Sequence, residues 1–190
     1  LATACRQVMA WQGDGQATED LWLSVNLAVR QLLAADLESV VEAALDDSGL
    51  PPDRLCLEIT ESALLEDSES STRALNRLKA LGVRIGVDDF GTGFSSLTYL
   101  KRFPVDVLKI DRSFVAGLCR DHQDRAIVAS VIDLAHAFGL TTTAEGVETA
   151  EQLDQLRVLG CEQGQGYLWS RPLPAGAAGR WLAARQHQLL

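Results

Sequence analysis

The sequence lacks any apolar run approaching the roughly 20 residues that a membrane-spanning helix requires. It is also poor in positive charge: its 190 residues hold 17 lysines and arginines against 26 aspartates and glutamates, a formal net charge of −9. Because no basic stripe is present, the sequence argues against binding along the phosphate backbone of DNA. An acidic protein that acts on a phosphorylated substrate needs metal ions to offset charge repulsion.

Cysteine and histidine are scarce, with four and three residues respectively. The cysteines are widely spaced and form no Cys-x-x-Cys pair, so together with the few histidines they make a poor zinc-binding set. Reduced thiols fit this usage better than a disulfide framework does. We therefore expect a cytoplasmic protein, whose parent could still be anchored to a membrane through other domains. The cysteines are Cys5, Cys56, Cys119 and Cys161.

What the sequence does contain is an alternation of short β-type runs with longer amphipathic stretches. No low-complexity tract or linker divides the chain, and its length suits one domain. Alternating strands and helices predict an α/β fold with a parallel sheet. The β-type runs cover residues 21–27, 55–60, 83–88, 105–110 and 141–145, with a weaker one at 164–169. The predicted helices cover residues 3–11, 37–45, 71–81, 125–138 and 150–159.

Nearly every β-type run carries a polar or charged side chain at or near its carboxyl end. In a parallel sheet these ends share one edge, where barrel enzymes place their active sites. A doubly wound sheet would gather such residues mainly at one crevice, so six contributing strands favour a TIM-type (β/α) barrel. Six strands that follow a helical stretch predict a barrel lacking its first strands. The residues are Asn26, Glu58, Glu61, Asp88, Asp89, Lys109, Asp111, Glu145, Glu148 and Gln165.

Oxygen-bearing side chains dominate this set, which predicts a site for a hard cation such as Mg²⁺ or Mn²⁺. Asp88 and Asp89 leave an apolar strand and enter a glycine-rich loop, where adjacent acids would repel each other unless a cation shares them. A bend at the strand end can let both reach one site. Glu58 lies inside an apolar strand and needs a cation or protonation, because an unpaired buried carboxylate is costly.

Simpler interpretations remain open for the single residues. Asp88 could cap a turn, Asn26 could be a hydrogen-bonded core amide, and Lys109 could pair with a neighbouring acid instead of contacting a phosphate. Glu145 could hold a second metal ion or take a proton from water. For Gln165, a loop hydrogen bond is the alternative to a role in the site.

Taken together, the motifs resemble the EAL domain, the bacterial cyclic di-GMP phosphodiesterase domain. The resemblance covers essentially the whole chain and implies a single domain over residues 1–190. It also implies hydrolysis of cyclic di-GMP to linear pGpG with two Mg²⁺ or Mn²⁺ ions. The segments are Ser24-Val-Asn-Leu27, Leu57-Glu-Ile-Thr-Glu-Ser62, residues 88–97 (DDFGTGFSSL), residues 107–115 (VLKIDRSFV), residues 144–149 (AEGVET) and residues 165–174 (QGYLWSRPLP).

The resemblance also implies roles for individual residues. Asn26, Glu58 and Asp88 match the ligands of one metal ion. Asp88 and Asp89 match the ligands of the second ion, and Glu145 matches a residue that helps to hold it. Lys109 matches the residue that orients the attacking water, and Glu145 matches the proposed general base. Glu61 matches a brace of the loop at 88–96, which also contributes to contacts in a homodimer. Asp111, Glu148 and Gln165 match supporting positions in the site.

One departure from the family pattern is the absence of the Glu-Ala-Leu segment, which supplies a further metal ligand from an early strand. We therefore expect the 190-residue chain itself to be poorly active or inactive, within a parent that could carry sensory or diguanylate-cyclase-like domains. A non-catalytic cyclic di-GMP receptor is the alternative function. An unrelated metal-dependent barrel enzyme is a third interpretation.

Overall fold

A computed structural model of the chain describes residues 1–61, 68–91 and 97–185. In this part of the chain, parallel strands pair in the order of the sequence, β1 to β6. The strands are β1 (Leu23–Asn26), β2 (Leu55–Thr60), β3 (Arg84–Phe90), β4 (Val107–Ile110), β5 (Thr141–Glu145) and β6 (Gln163–Gln165). The helices are α1 (Ala2–Gly13), α2 (Val29–Leu32), α3 (Leu37–Ser48), α4 (Ser68–Ala80), α5 (Leu97–Arg102), α6 (Arg112–Gly117), α7 (His122–Ala137), α8 (Ala150–Leu159) and α9 (Ala175–Arg185). A 3₁₀ turn, Pro52–Arg54, precedes β2.

The sheet is curled into an incomplete barrel. Ser24 on β1 and Gln163 on β6 line one cavity of about 340 Å³, together with residues of β2, β4 and β5. The two outer strands of the described sheet therefore face each other across its concave side. This confirms the prediction of an α/β fold of the TIM-barrel type.

The alternation of side chains along each strand separates the core from the concave side. On β2, Leu55, Leu57 and Ile59 belong to the apolar core, at 0–2% exposure. Cys56 and Glu58 point the other way and line the concave cavity. Successive strand residues face opposite sides of a sheet, so the pattern LCLEIT carries both a core face and a polar face.

Strand β3 is irregular where the two adjacent acids lie. Its pairing with β4 shifts register between Val87 and Phe90, as at a β-bulge. Asp89 has a φ of 56°, in the left-handed region that L-residues seldom adopt. Bulges re-aim side chains next to active sites. The bend that the sequence predicts at this strand end is therefore present, and it lies within the strand.

The weaker β-type run at 164–169 is only partly a strand. β6 ends at Gln165, because the chain then turns: the amide of Trp169 donates to the carbonyl of Gly166 at 3.3 Å, and the amide of Leu168 donates to the carbonyl of Val147 at 2.9 Å. Strands β1 and β4 also begin two residues later than predicted. Helices α2, α5, α6 and α9 are additions that the sequence did not predict.

Two further predictions concern the chain as a whole. The four cysteines are free thiols, as their spacing predicts. Among the described helices, none has the length and apolar character to cross a membrane.

At the amino-terminal edge of the sheet, Glu162 joins three elements. One carboxylate oxygen contacts Nε2 of His136 on α7 at 2.7 Å. The other accepts hydrogen bonds from the amide (2.9 Å) and the hydroxyl of Thr142 on β5. Partial burial raises the pKa of Glu162, but these contacts outweigh it and hold the pKa below the ordinary value of 4.5.

The Glu162→Gln variant should lower the free energy of unfolding at neutral pH by about 1 kcal/mol, because it removes a charged acceptor from three donors. The melting temperature should fall by about 2–4 °C. A carboxyl whose folded pKa is depressed stabilises the fold above its unfolded pKa and loses that effect as the pH falls through the folded pKa. The difference from wild type should therefore shrink below about pH 4.

Calorimetric melting between pH 3 and pH 8 measures this difference. The matched control is Glu42→Gln, because Glu42 is an exposed acid on α3. Equal melting temperatures for the Glu162 variant and wild type at pH 7 would remove the proposed role of this carboxylate.

Candidate functional site

The centre of the concave side is a buried lysine surrounded by carboxylates. Lys109 on β4 is 3% exposed. Its Nζ lies 2.7 Å from Oε2 of Glu58 on β2, 3.0 Å from Oδ1 of Asp88 on β3 and 2.6 Å from Oε1 of Glu145 on β5. Four strands thus contribute charged groups to one point. Lys109 therefore pairs with neighbouring acids, as one of its two interpretations predicts, and its role as a site residue stays a prediction.

These charges shift one another's titration. Burial alone would lower the pKa of Lys109, but hydrogen bonds to Glu145, Glu58 and Asp88 outweigh it, and the pKa is raised. Burial raises the pKa of Glu145, and the charges of Asp88 and Glu58 add to that, against the opposing effect of Lys109. The lysine therefore stays charged, while Glu145 is a stronger base than an exposed glutamate.

A second grouping lies beside the first. Asp88, Asp89 and Glu145 each offer a carboxylate oxygen, and these atoms lie within 4.8 Å of one another. The bulge of β3 makes this possible, because consecutive residues of a regular strand would point to opposite faces. Burial raises the pKa of Asp89, and the neighbouring charges of Asp88 and Asp111 raise it further.

The residues present fit a divalent cation. Glu58, Asp88, Asp89 and Glu145 bring four carboxylates to one place, where Lys109 supplies a single compensating charge. Oxygen donors with excess negative charge are the ligands that Mg²⁺ and Mn²⁺ prefer. Such a cation would offset both the burial and the repulsion by neighbouring acids that raise the pKa values of Asp89 and Glu145.

Two predicted residues lie next to this centre. Asn26 pairs in register with Glu58, so both side chains face the concave side. Glu61 is buried, and its Oε2 accepts a hydrogen bond from the amide of Gly91 at 3.1 Å. That contact holds the start of the loop after β3. The rest of this loop, residues 92–96, lies outside the described residues.

The other predicted residues lie around the rim. Asp111 caps α6 by accepting from the amide of Ser113 at 2.9 Å. Burial raises its pKa, but the hydrogen bonds from Ser113 outweigh this and lower it. Gln165 ends β6, and it lines a cavity together with Glu145 and Glu148. In the described part of the chain, the ion pairs of Lys109 are those with Glu58, Asp88 and Glu145, and neither Asp111 nor Glu148 takes part in them. Gln165 likewise forms no hydrogen bond with Lys109 there.

Sequence reasoning missed Gly86, which lies on β3 opposite Glu58. A Cβ at this position would lie 3.2 Å from Sγ of Cys56 and 3.3 Å from Cγ of Glu58. The missing side chain therefore leaves the space in which Glu58 reaches Lys109. An isolated glycine inside a strand was the available signal, because it often marks a close approach.

The comparisons with known proteins agree on one family. A family model described as the EAL domain matches residues 1–172. The bifunctional diguanylate cyclase/cyclic di-GMP phosphodiesterase MucR of Pseudomonas aeruginosa is 46% identical over 175 residues, which is 92% of this chain and 25% of MucR. The chain spans about a fifth of the length of the first curated relatives that it matches, at 21% and 22%.

Solved structures give the same result. The complex of the PaMucR phosphodiesterase with c-di-GMP has a TM-score of 0.87 and 44% identity, and the match covers 93% of this chain and 71% of that one. The EAL domain of Mycobacterium smegmatis DcpA has a TM-score of 0.91 and 42% identity, with 97% and 82% covered. Klebsiella pneumoniae BlrP1, solved with cyclic di-GMP and either calcium or manganese, has a TM-score of 0.81 in both forms, at 33% and 32% identity. The two matches cover 92% and 90% of this chain and 43% of BlrP1.

The Lys109→Met variant tests the balance of charge in this centre. It keeps most of the length of the side chain but leaves the carboxylates without their shared cation, so the free energy of unfolding in EDTA should fall by about 3 kcal/mol. Added Mn²⁺ should recover part of this loss, since it supplies positive charge to the same oxygens. Urea denaturation with EDTA or with MnCl₂ measures both effects.

Lys79→Met is the matched control, because Lys79 bridges to Asp106 away from the centre and is partly exposed. It should cost less, and Mn²⁺ should not reverse the loss. A Lys109 variant as stable as wild type in EDTA would show that the carboxylates do not depend on the lysine.

Proposed function

Because the chain belongs to the EAL domain family, we propose that the parent protein hydrolyses cyclic di-GMP to the linear dinucleotide pGpG through this domain. The observation that carries the proposal is the convergence of Glu58, Asp88 and Glu145 on Lys109 within 3.0 Å. Support for the substrate comes from MucR, which is named as a cyclic di-GMP phosphodiesterase, and from the PaMucR complex with c-di-GMP. The proposal treats residues 1–190 as one domain.

The proposed cofactor is a pair of Mg²⁺ or Mn²⁺ ions. Asn26, Glu58 and Asp88 would hold one ion, and Asp88, Asp89 and Glu145 would hold the other. A divalent cation, when bound, supplies the charge that stabilises the negative charge developing on the phosphate and lowers the pKa of water. The BlrP1 complexes with calcium and manganese support a divalent cation in this fold.

Glu145 is the proposed general base. Its position beside Lys109, at the end of β5, aims it at the concave side, where a carboxylate can accept a proton from water. The water that loses its proton to Glu145 adds to phosphorus and the P–O3′ bond breaks. The departing 3′-oxygen takes up a proton from solvent, so the ring opens to a linear dinucleotide with a 5′-phosphate. Lys109 would orient that water by donating to it one of its three N–H groups, in place of one of the carboxylates that these groups contact in this structure.

The remaining predicted residues support this centre. Glu61 braces the loop after β3 through the amide of Gly91. Asp111 fixes the start of α6 and restrains Asp89 through the interaction between their carboxyl groups. Glu148 and Gln165 lie along the rim, where they would contact the substrate.

The partners of the protein belong to the same proposal. Homodimerisation through the loop at 88–96 stays a prediction, since residues 92–96 lie outside the described residues. Fused sensory or diguanylate-cyclase-like domains are supported by MucR, which carries both activities in its name and is about four times as long as the match. The free thiols support a cytoplasmic location.

The Glu145→Gln variant should reduce the rate of cyclic di-GMP hydrolysis by about 10²- to 10⁴-fold, because it removes the proton acceptor but keeps the size of the side chain. Chromatographic detection of pGpG in Mn²⁺ buffer measures the rate. The matched control is Glu162→Gln, the same substitution at the opposite edge of the sheet, which should keep the wild-type rate.

Two results would contradict the proposal. Equal rates for the Glu145 variant and wild type would remove Glu145 from the chemistry. Binding of cyclic di-GMP by the parent protein without any turnover in Mn²⁺ would instead assign the alternative function, a non-catalytic receptor.

A further inference from the structure

A cavity of about 360 Å³ opens directly beside Glu145. Its lining includes Glu145 and Gln165, which end neighbouring strands. Arg112, Tyr167 and Arg171 also line it, and none of these three belongs to the centre around Lys109. An acidic centre thus continues into a cavity with two guanidinium groups and a phenol ring.

The position of Arg112 is fixed relative to Glu145. Arg112 begins α6, three residues after Lys109. Its backbone and Cβ pack against Gly146, where an added Cβ would lie 2.6 Å from Cβ of Arg112. Gly146 has a φ of 68°, which glycine adopts readily. Gly146, the residue after the proposed base, therefore packs directly against Arg112 and fixes its position.

The position of Arg171 is fixed by the turn after β6. Its guanidinium carbon lies 4.5 Å from the centre of the Tyr167 ring, within the range of a cation–π contact. The turn is held to the end of β5, since the amide of Val147 donates to the carbonyl of Gln165 at 3.0 Å and the amide of Leu168 donates back to Val147 at 2.9 Å. Both arginines are thus built onto the edge that carries Glu145.

Neither Arg112 nor Arg171 has its charge balanced by an acid in the described part of the chain. Within the described residues, the guanidinium groups of Arg112 and Arg171 form no ion pair, although Glu145 and Glu148 line the same cavity. Both side chains are exposed at the rim. Guanidinium groups match the oxygens of a phosphate in a bidentate way, and Arg is favoured where planar anions are recognised.

We propose that Arg112 and Arg171 bind the phosphodiester group of the cyclic dinucleotide that is not cleaved, while the centre around Lys109 acts on the other one. This inference rests on the proposed function and adds the reason why the site prefers a cyclic dinucleotide to a single diester. The two arginines are positioning and specificity residues, since they hold the substrate away from the bond that breaks.

The double variant Arg112→Ala/Arg171→Ala tests the inference. The Kd for cyclic di-GMP in CaCl₂, measured by titration calorimetry, and the KM in MnCl₂ should rise by ~10- to 100-fold, since two charge-assisted contacts are lost. The kcat should stay within ~3-fold of wild type, because an interaction shared by bound substrate and transition state changes KM rather than kcat. Hydrolysis of bis(4-nitrophenyl) phosphate, which has one diester group, should be unchanged.

Two further variants sharpen the comparison. Arg112→Lys/Arg171→Lys keeps the charge and should recover part of the affinity. The matched control is Arg30→Ala/Arg180→Ala, which removes two exposed arginines outside the cavity and should leave Kd and KM at wild-type values. All four arginines are exposed, so the variants should fold, and circular dichroism verifies this.

Failure of the inference differs from failure of the proposed function. A double alanine variant with wild-type Kd and KM, or one that loses bis(4-nitrophenyl) phosphate hydrolysis equally, would overturn the inference while hydrolysis by wild type stands. Absence of both binding and hydrolysis in wild type would overturn the two together. If wild type binds without turnover, the calorimetric comparison alone decides the role of the arginines.

Discussion

The ammonium group of Lys109 holds the site together. A charged group with 3% exposure is stable only when its partners replace water, and Glu58, Asp88 and Glu145 do so from three other strands. Each partner also needs the lysine, because four carboxylates in one region repel one another. The centre remains short of positive charge even so, which is why its oxygen donors suit divalent cations.

The sheet places these groups together through a simple register. Parallel pairing aligns Asn26 with Glu58 and Glu58 with Gly86, so a single alternation of side chains sends the polar ones to the concave side. Two local departures from regular structure complete the arrangement. Gly86 leaves room for Glu58, and the bulge of β3 turns Asp89 towards Asp88 and Glu145. Regular strands alone would have separated the adjacent acids.

Much of this was predictable from local patterns. Short β-type runs predicted the strands, and a polar residue at or near the end of nearly every run predicted the shared edge, because both signals lie within a few neighbouring positions. The triple contact of Lys109 was not predictable in the same way, since its partners are 51, 21 and 36 positions away in the sequence. Helices such as α2 and α6 have four and six residues, which is too short for a helical period to emerge. Arg112 and Arg171 gave no signal either, because the cavity between them exists only after the turn following β6 folds back onto Val147.

The two edges of the sheet differ in their balance of charge. At the carboxyl edge, four carboxylates surround the single positive charge of Lys109. They repel one another, and a bound cation would reduce that repulsion. At the amino edge, charges are matched: Lys79 lies 2.8 Å from both oxygens of Asp106, which also accepts from the amide of Ile85. Glu162 likewise satisfies His136 and Thr142 together. Each strand runs from one edge of the sheet to the other. The ion pairs and hydrogen bonds at the amino edge therefore stabilise the same strands that the repulsion between acids destabilises at the carboxyl edge. A barrel can therefore hold an unbalanced site without unfolding, provided that the imbalance is confined to one rim.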